Sequence, residues 1–396
     1  MTGHRRGAAV RSLRHDPSVR PFLVIWEVTR ACGLVCRHCR ADAQTGPHPF
    51  QLTFAQGCQL LDDIAEFGAP SPMIVLTGGD PFERDDLVDL LDHGRKAGLS
   101  IALAPSVTPR ATPDRFRQIA DAGAKAVSIS LDGATAATHD GFRGVDGVFD
   151  ATFQACRTIV QAGMRLQLNT TITASNVGEL PDIFGHALDL DAFLWSVFLL
   201  VPTGRGDLLE PLSADAVEDV LHWLVDVAGH LAVKTTEAPH FRRVVLQRRR
   251  LSGCDPQETF RLGATYQQLR ARLDVTAASR VLPMRIPRPP LDINAGRGFV
   301  FIDHLGTVYP SGFLPIPVGS VREHRLIDLY RNAPLLRQLR DPSALTDRCG
   351  RCEYRAICGG SRSRAYAVAR DPFAEEPACL FEPSGGPLLS VAGLEN

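Results

Sequence analysis

A chain of 396 residues with 43 Lys and Arg against 44 Asp and Glu has no electrostatic reason to seek nucleic acid or an anionic membrane. Its composition, 44% apolar and 22% charged, is that of a globular protein too long for one ordinary core. No apolar run is long enough to span a bilayer, and Met1 to Arg20 lacks the apolar centre of a signal peptide, so the ten cysteines read as metal ligands and reduced thiols of a cytoplasmic protein rather than as disulfides.

In chain order, residues 1–20 read as a disordered basic tail carrying Arg5, Arg6, Arg11 and Arg14. From Phe22 short β-branched runs alternate with amphipathic stretches. The strands fall at Phe22–Val28, Met73–Leu76, Ser100–Ala104, Ala126–Leu131, Arg165–Thr171 and Leu194–Leu200. Helical stretches lie near Thr53–Glu66, Asp85–Lys96, Pro113–Ala122, Gly147–Gln161, Glu179–Leu188 and Ala214–Ala228. Six βα units predict an α/β protein whose core, residues 21–232, is an open, partial (β/α)6 barrel. Residues 233–292 read as a helical bridge that could cover the barrel mouth. A hairpin follows at Gly298–Ile302 and Thr307–Pro310 around His304-Leu-Gly306, within a smaller unit spanning 293–382, and residues 383–396 form a C-terminal tail.

The first chemical signal is Cys32-Gly-Leu-Val-Cys36-Arg-His-Cys39, directly after the first strand. Three thiolates can hold three irons of a four-iron cluster and leave the fourth iron open to something other than protein. A zinc knuckle would need a further ligand; His38 is adjacent to Cys39 and would strain a tetrahedral site. Each remaining motif sits at the C-terminal end of a strand, where the loops of a parallel barrel converge. In Thr77-Gly78-Gly79-Asp80-Pro81 the glycines let backbone carbonyls approach a ligand amine, and Asp80 adds negative charge. Ser128, Ser130 and Asp132 end the fourth strand. Gln167, Asn169 and Thr171 alternate on the fifth and face inward if Leu166, Leu168 and Thr170 face outward. Asn176 is as much a turn residue as a ligand.

A second set, Cys349-Gly-Arg-Cys352, Cys358 and the distal Cys379, offers four thiolates, enough for a complete second cluster or for structural zinc. Gly359 and Gly360 turn the chain after Cys358. Cys58 and Cys156 read as core residues, and Cys254 lies outside any ligand spacing. The basic run Arg242 to Arg250 could grip an anionic substrate and reads more readily as a solvated helix face.

The cysteine spacing after the first strand resembles that of the radical S-adenosylmethionine (SAM) superfamily. The resemblance implies that Cys32, Cys36 and Cys39 hold a [4Fe-4S] cluster whose open iron chelates SAM. It further implies contacts to SAM from Gly78, Gly79, Asp80, Ser130, Asp132, Asn169, Thr171 and Val201, the last in the loop Val201-Pro-Thr203-Gly204-Arg205-Gly206, with Arg143 on the carboxylate. Asp80 stands where the family usually has Glu. Residues 293–382 resemble the SPASM or twitch module, with Cys349, Cys352, Cys358 and Cys379 around an auxiliary [4Fe-4S] cluster. Asn294 and Ser311 occupy positions where relatives show Cys, so one auxiliary cluster is expected rather than two.

Within the superfamily the chain resembles the branch of the alternative-haem-pathway decarboxylase, the haem d1 maturase and the coenzyme-peptide maturases. The leading expectation is maturation of a ribosomal peptide or peptide-derived cofactor precursor, served by a flavodoxin or ferredoxin and by a separate peptide-recognition protein. The alternatives are decarboxylation or other modification of a tetrapyrrole side chain, a non-catalytic electron-transfer protein, and a zinc-binding interaction module.

Overall fold

The computed structural model describes residues 9–389 apart from 252 and 280. The six expected strands are β1 (Leu23–Glu27), β2 (Met73–Thr77), β3 (Ser100–Leu103), β4 (Ala126–Ser130), β5 (Arg165–Ile172) and β6 (Leu194–Leu199). Each is parallel to the next. The expected helices lie between them at Phe54–Ala65, Leu87–Lys96, Pro113–Asp121, Val148–Gln161, Leu180–Asp189 and Ala214–Val227. Capping fixes several starts: Thr53 and Gln56 form a reciprocal capping box, and the Thr112 and Ser213 hydroxyls accept from backbone N–H groups of the first turn.

Side chains on one face of the sheet lie under these helices, where Trp195 of β6 packs against Phe184 and Trp223 at ring separations of 6.2 and 6.1 Å. Those on the other face line the barrel interior. In β5 the apolar Leu166 and Leu168 are buried under helices, and Gln167, Asn169 and Thr171 are half-buried on the inner face, as the alternation requires.

Four features depart from the expected layout. A seventh strand, β7 (Val233–Thr236), pairs in parallel with β6 inside the stretch read as a helical bridge. It has only four residues, too few to show a period of two. The bridge is otherwise helical at Phe241–Arg250, Pro256–Phe260 and Ala264–Ser279, but the longest of these lies against helices Leu180–Asp189 and Ala214–Val227, outside the barrel and not over its mouth. An unexpected helix, Ala136–Arg143, follows β4; Thr135 caps it, and Gly144 ends it in the left-handed conformation at φ 74°. Finally, β8 (Phe299–Ile302) pairs in parallel with β1 and continues antiparallel into β9 (Thr307–Tyr309) and β10 (Gly319–Ser320). The expected hairpin is thus present, and it extends the barrel sheet into a single ten-stranded one.

Each terminal stretch is anchored to the body of the protein. Val10, Leu246, Tyr354 and Ile357 are buried together, with Leu389 against them. Arg11 N–H donates to the Pro290 carbonyl at 2.9 Å, and Leu389 N–H donates to the Glu353 carbonyl at 2.8 Å. The expected disordered tail is therefore corrected for residues 9–20, while 383–389 form an irregular C-terminal stretch, exposed from 384 to 388 and tied down at Leu389. Arg5, Arg6 and residues 390–396 lie outside the described residues.

The basic run is corrected too. Arg242 and Arg243 are buried, and carboxylates meet them: Asp292 at 3.0 Å and Glu218 at 2.5 Å, with Arg248 on Asp226 at 2.5 Å. A charge taken from water needs such a partner; Glu218 and Asp226 of helix Ala214–Val227 and the distant Asp292 supply it.

Candidate active site

The loop after β1 closes on itself through Cys32 N–H to the Gln44 carbonyl (2.8 Å) and Gln44 N–H to the Arg30 carbonyl (2.9 Å). Within it Cys32 and Cys36 are buried and Cys39 half-buried, packed in one apolar cluster with Leu34 and Val148. Each sulfur faces an N–H donor: Leu34 N at 3.4 Å from Cys32 Sγ, an Arg143 guanidinium nitrogen at 3.7 Å from Cys36 Sγ, and Ala43 N at 3.5 Å from Cys39 Sγ. Three neighbouring thiols with N–H groups aimed at them suit thiolate ligands of a cluster. Among the described residues, no three His, Cys, Asp or Glu side chains are drawn in to the distances of a single bound ion.

Gly78 and Gly79 bind this loop from the β2 side. Gly79 N–H donates to the Thr29 carbonyl (2.8 Å) and Asp80 N–H to the Ala31 carbonyl (2.7 Å). A Cβ at either glycine would lie 2.3 Å from the carbonyl oxygen of Thr29 or Ala31. The glycines are thus required by the cysteine loop itself, a closer constraint than the ligand approach expected from sequence. Gly79→Ala is expected to displace residues 29–32 and to cut the iron bound per chain after anaerobic reconstitution by about half, the fraction in the SAM-binding cluster if two equal clusters are present. Iron analysis of the purified variant checks this.

Asp80 is fully buried, and its carboxylate is folded back, accepting from the Thr108 hydroxyl (2.7 Å), Phe82 N–H (3.1 Å) and Ser106 N–H (3.4 Å). The expectation of a charge laid beside a ligand amine is corrected: these bonds shape the loop instead. Burial pushes its pKa up to about 6. A carboxyl raised on folding contributes stability that is full below its unfolded pKa and lost as pH rises through about 6. Unfolding free energy should therefore fall by about 1 kcal/mol between pH 5 and pH 7 from this group, and Asp80→Asn should remove that part of the slope in denaturation experiments.

At the ends of β4 and β5, Asp132 is buried in an ion pair with Arg143 and accepts from Thr171 N–H at 2.7 Å. Asp132 N–H donates to Nδ1 of His139, a ring that burial holds near pKa 4 and hence neutral. Arg143, expected on a SAM carboxylate, is engaged by Asp132 and Cys36. Asn176 is buried and ties the carbonyls of Asp132 and Thr171 together at 2.8 Å each, the turn role rather than the ligand role. Ser130 and Asn169 are register neighbours on the half-buried inner wall, and Gln167 donates to Asn169 Oδ1 at 2.7 Å. Val201 is buried at the end of β6. The loop behind it braces the cysteines: Arg205 N–H donates to the Cys39 carbonyl (3.1 Å) and Arg205 Nε to the Cys36 carbonyl (3.0 Å).

Sequence reasoning named Arg205 only as part of the loop after β6 and missed both its bracing role and the network around Glu27. Glu27, the last residue of β1, is buried between Arg40 (2.6 Å) and His304 Nδ1 (2.9 Å). It links the cysteine loop to the β8–β9 turn. The acid in the otherwise apolar run Phe22 to Val28 was the available signal.

The second set of thiols also comes together. Cys349, Cys352, Cys358 and Cys379 line one cavity with His240, Arg243, Arg348 and Arg355. Burial pushes Cys352 up to about 11 and Cys358 up to about 12, so these thiols would stay protonated unless a cation held them. Both ring nitrogens of His240 and the Nε of Arg243 and of Arg355 are buried without a hydrogen-bond partner. Orphaned donors around four sulfurs fit a bound anionic cluster. Asn294 instead donates to the carbonyls of Cys358 and Gly360 (3.3 and 2.9 Å), and Ser311 to Glu237 (3.0 Å). Cys58 and Cys156 pack with the main core, and Cys254 is exposed.

The family description "Radical SAM superfamily" matches residues 26–184. The chain is 37% identical to an AdoMet-dependent heme synthase from Oleidesulfovibrio alaskensis, over 98% of this chain and 94% of that one. It is 32% identical to a pre-heme d1 synthase from Dinoroseobacter shibae, over 91% and 86%. The structure of Streptococcus suis SuiB bound to S-adenosylmethionine has a TM-score of 0.65 at 13% identity, covering 92% of this chain and 78% of that one, a likeness of fold. From the cysteine loop at the mouth of an open parallel barrel, and from identity along almost its whole length, the chain belongs to the radical SAM superfamily, in its SPASM/twitch-type maturase branch.

Proposed function

We propose that this radical SAM enzyme acts on a tetrapyrrole, removing carboxyl groups from its side chains. One observation carries the reading: the 37% identity to a relative named for heme synthesis runs through both the barrel and the C-terminal region. It moves the balance away from the peptide substrate that the sequence favoured.

In this reading Cys32, Cys36 and Cys39 hold the SAM-binding cluster, and Gly78, Gly79, Ser130, Asn169, Thr171 and Val201 wall the SAM site. Asp80, Asp132 and Arg143 set its shape from behind. Cys349, Cys352, Cys358 and Cys379 hold a single auxiliary [4Fe-4S] cluster, because hydrogen bonds already occupy Asn294 and Ser311. When bound, the first cluster supplies the electron that cleaves SAM, and the hydrogen taken from substrate ends in 5′-deoxyadenosine. The barrel walls exclude water and hold the substrate carbon toward the cysteine loop. A flavodoxin or ferredoxin supplies electrons. The division at 232 and 292 and a cytoplasmic site of action belong to the same reading; no described helix is long and apolar enough to cross a membrane.

The test is anaerobic incubation of reconstituted protein with reductant, SAM and iron coproporphyrin III, followed by mass analysis. The expected product has lost, per propionate, carbon dioxide and one hydrogen atom, the latter matched by 5′-deoxyadenosine, with one electron passed to an acceptor. Unchanged porphyrin, together with modification of a precursor peptide, would transfer the reading to the peptide class.

A further inference from the structure

We propose that Lys234 is the subsite that receives a carboxylate of the substrate inside the barrel, with the exposed Arg288 at the foot of β7 adding to the positive field there. This rests on the tetrapyrrole reading and adds the residues that would recognise such a substrate.

The register of β7 places Val233 beside Trp195 and Lys234 beside Ser196. Trp195 faces the helices, so Ser196 and Lys234 face the interior. Ser196 lies beside Asn169, and Asn169 beside Ser130. Lys234 therefore belongs to the same row as two residues assigned above to the SAM wall. On β1, β2, β3 and β8 the inward positions include the apolar Ile25, Val75, Ala102 and Phe301. The interior is thus apolar over much of β1, β2, β3 and β8, where the carboxylate of Glu27 is already taken by Arg40 and His304, and polar on β4 to β7, where Lys234 is the cation of its row.

That cation is unanswered. Among the described residues no hydrogen bond or ion pair reaches the Lys234 ammonium group. Burial and then the charge of Arg288 hold its pKa down at about 8. Arg288 stands on the extended segment 281–291, pinned at the foot of β7 by Arg285 N–H to the Gly229 carbonyl (2.7 Å) and by His230 to the Pro283 carbonyl (2.9 Å). Arg288 in turn feels Arg11 and Arg165, not a carboxylate. Elsewhere this protein answers its buried arginines: Arg84, Arg143, Arg242, Arg243 and Arg364 each meet an acid, and Arg362 donates to the Pro372 and Ala374 carbonyls. Unanswered positive charge facing a chamber is stabilised by an anion that arrives with the ligand. A flat apolar macrocycle fringed with carboxylates matches both walls.

The experiment measures binding of iron coproporphyrin III and of its tetramethyl ester to anaerobic holoenzyme by absorbance, for wild type, Lys234→Met and Lys234→Arg. The expected result is that wild type prefers the free acid, that Lys234→Met binds it about tenfold more weakly with the ester unaffected, and that Lys234→Arg recovers most of the loss. Arg288→Gln, at an exposed position, should weaken acid binding about threefold and stands in should Lys234→Met fail to fold. Wild type that binds neither porphyrin overturns the tetrapyrrole reading and this assignment together. Wild type indifferent to esterification, or a folded Lys234→Met that matches it on the acid, overturns the assignment alone.

Discussion

Cys36→Ala is expected to reduce 5′-deoxyadenosine release from SAM to background, the largest effect of any single substitution in the barrel. Its sulfur is buried and faces the Arg143 guanidinium, which is itself locked to Asp132. Without it two thiolates remain, one short of the number that leaves a single iron open. Arg143 keeps its carboxylate partner in the variant, so the barrel should still fold. Iron analysis should then find about half the iron of the wild type, that of the auxiliary cluster. Release of 5′-deoxyadenosine at the wild-type rate would remove Cys36 from the ligand set and with it the assignment of the loop.

The six βα units were legible because each strand couples a β-branched run to an amphipathic helix; for three of the six helices Thr53, Thr112 and Ser213 mark the start in the sequence as in the fold. The two cysteine sets were legible because spacing survives without a third dimension. What sequence concealed depends on distant partners. The strand β7 exists only because β6 offers an edge beside it, and a run of four residues carries no period. The arginines of helix Phe241–Arg250 look solvated until Glu218, Asp226 and Asp292, none of them a sequence neighbour, are placed against them. Asp80 and Arg143 have the residue types for meeting a ligand, yet local geometry commits both to the protein: a side chain's charge is readable from sequence, and its direction is not.

The division of labour between the two thiol sets yields the second large effect. Cys352→Ala should abolish modification of the tetrapyrrole, a loss of at least a hundredfold, while SAM cleavage uncoupled from substrate continues at a measurable rate. The reason lies in packing. Cys352 and Cys358 lie against the small apolar cluster of Val10, Leu246, Tyr354 and Ile357, whereas Cys32, Cys36 and Cys39 belong to a separate one with Leu34 and Val148. Loss of the Cys352 thiolate therefore leaves the contacts around Cys32, Cys36 and Cys39 in place. The two sets are linked through Arg364, which donates to the Leu199 and Leu200 carbonyls beside Val201 and pairs with Glu376, itself an N–H donor to Cys349. That link is enough to slow SAM cleavage in the variant and not to stop it. Product analysis and 5′-deoxyadenosine release, measured on the same preparation, separate the two outcomes. A folded Cys352→Ala protein that loses both activities as completely as Cys36→Ala would show that the thiol sets serve one step rather than two.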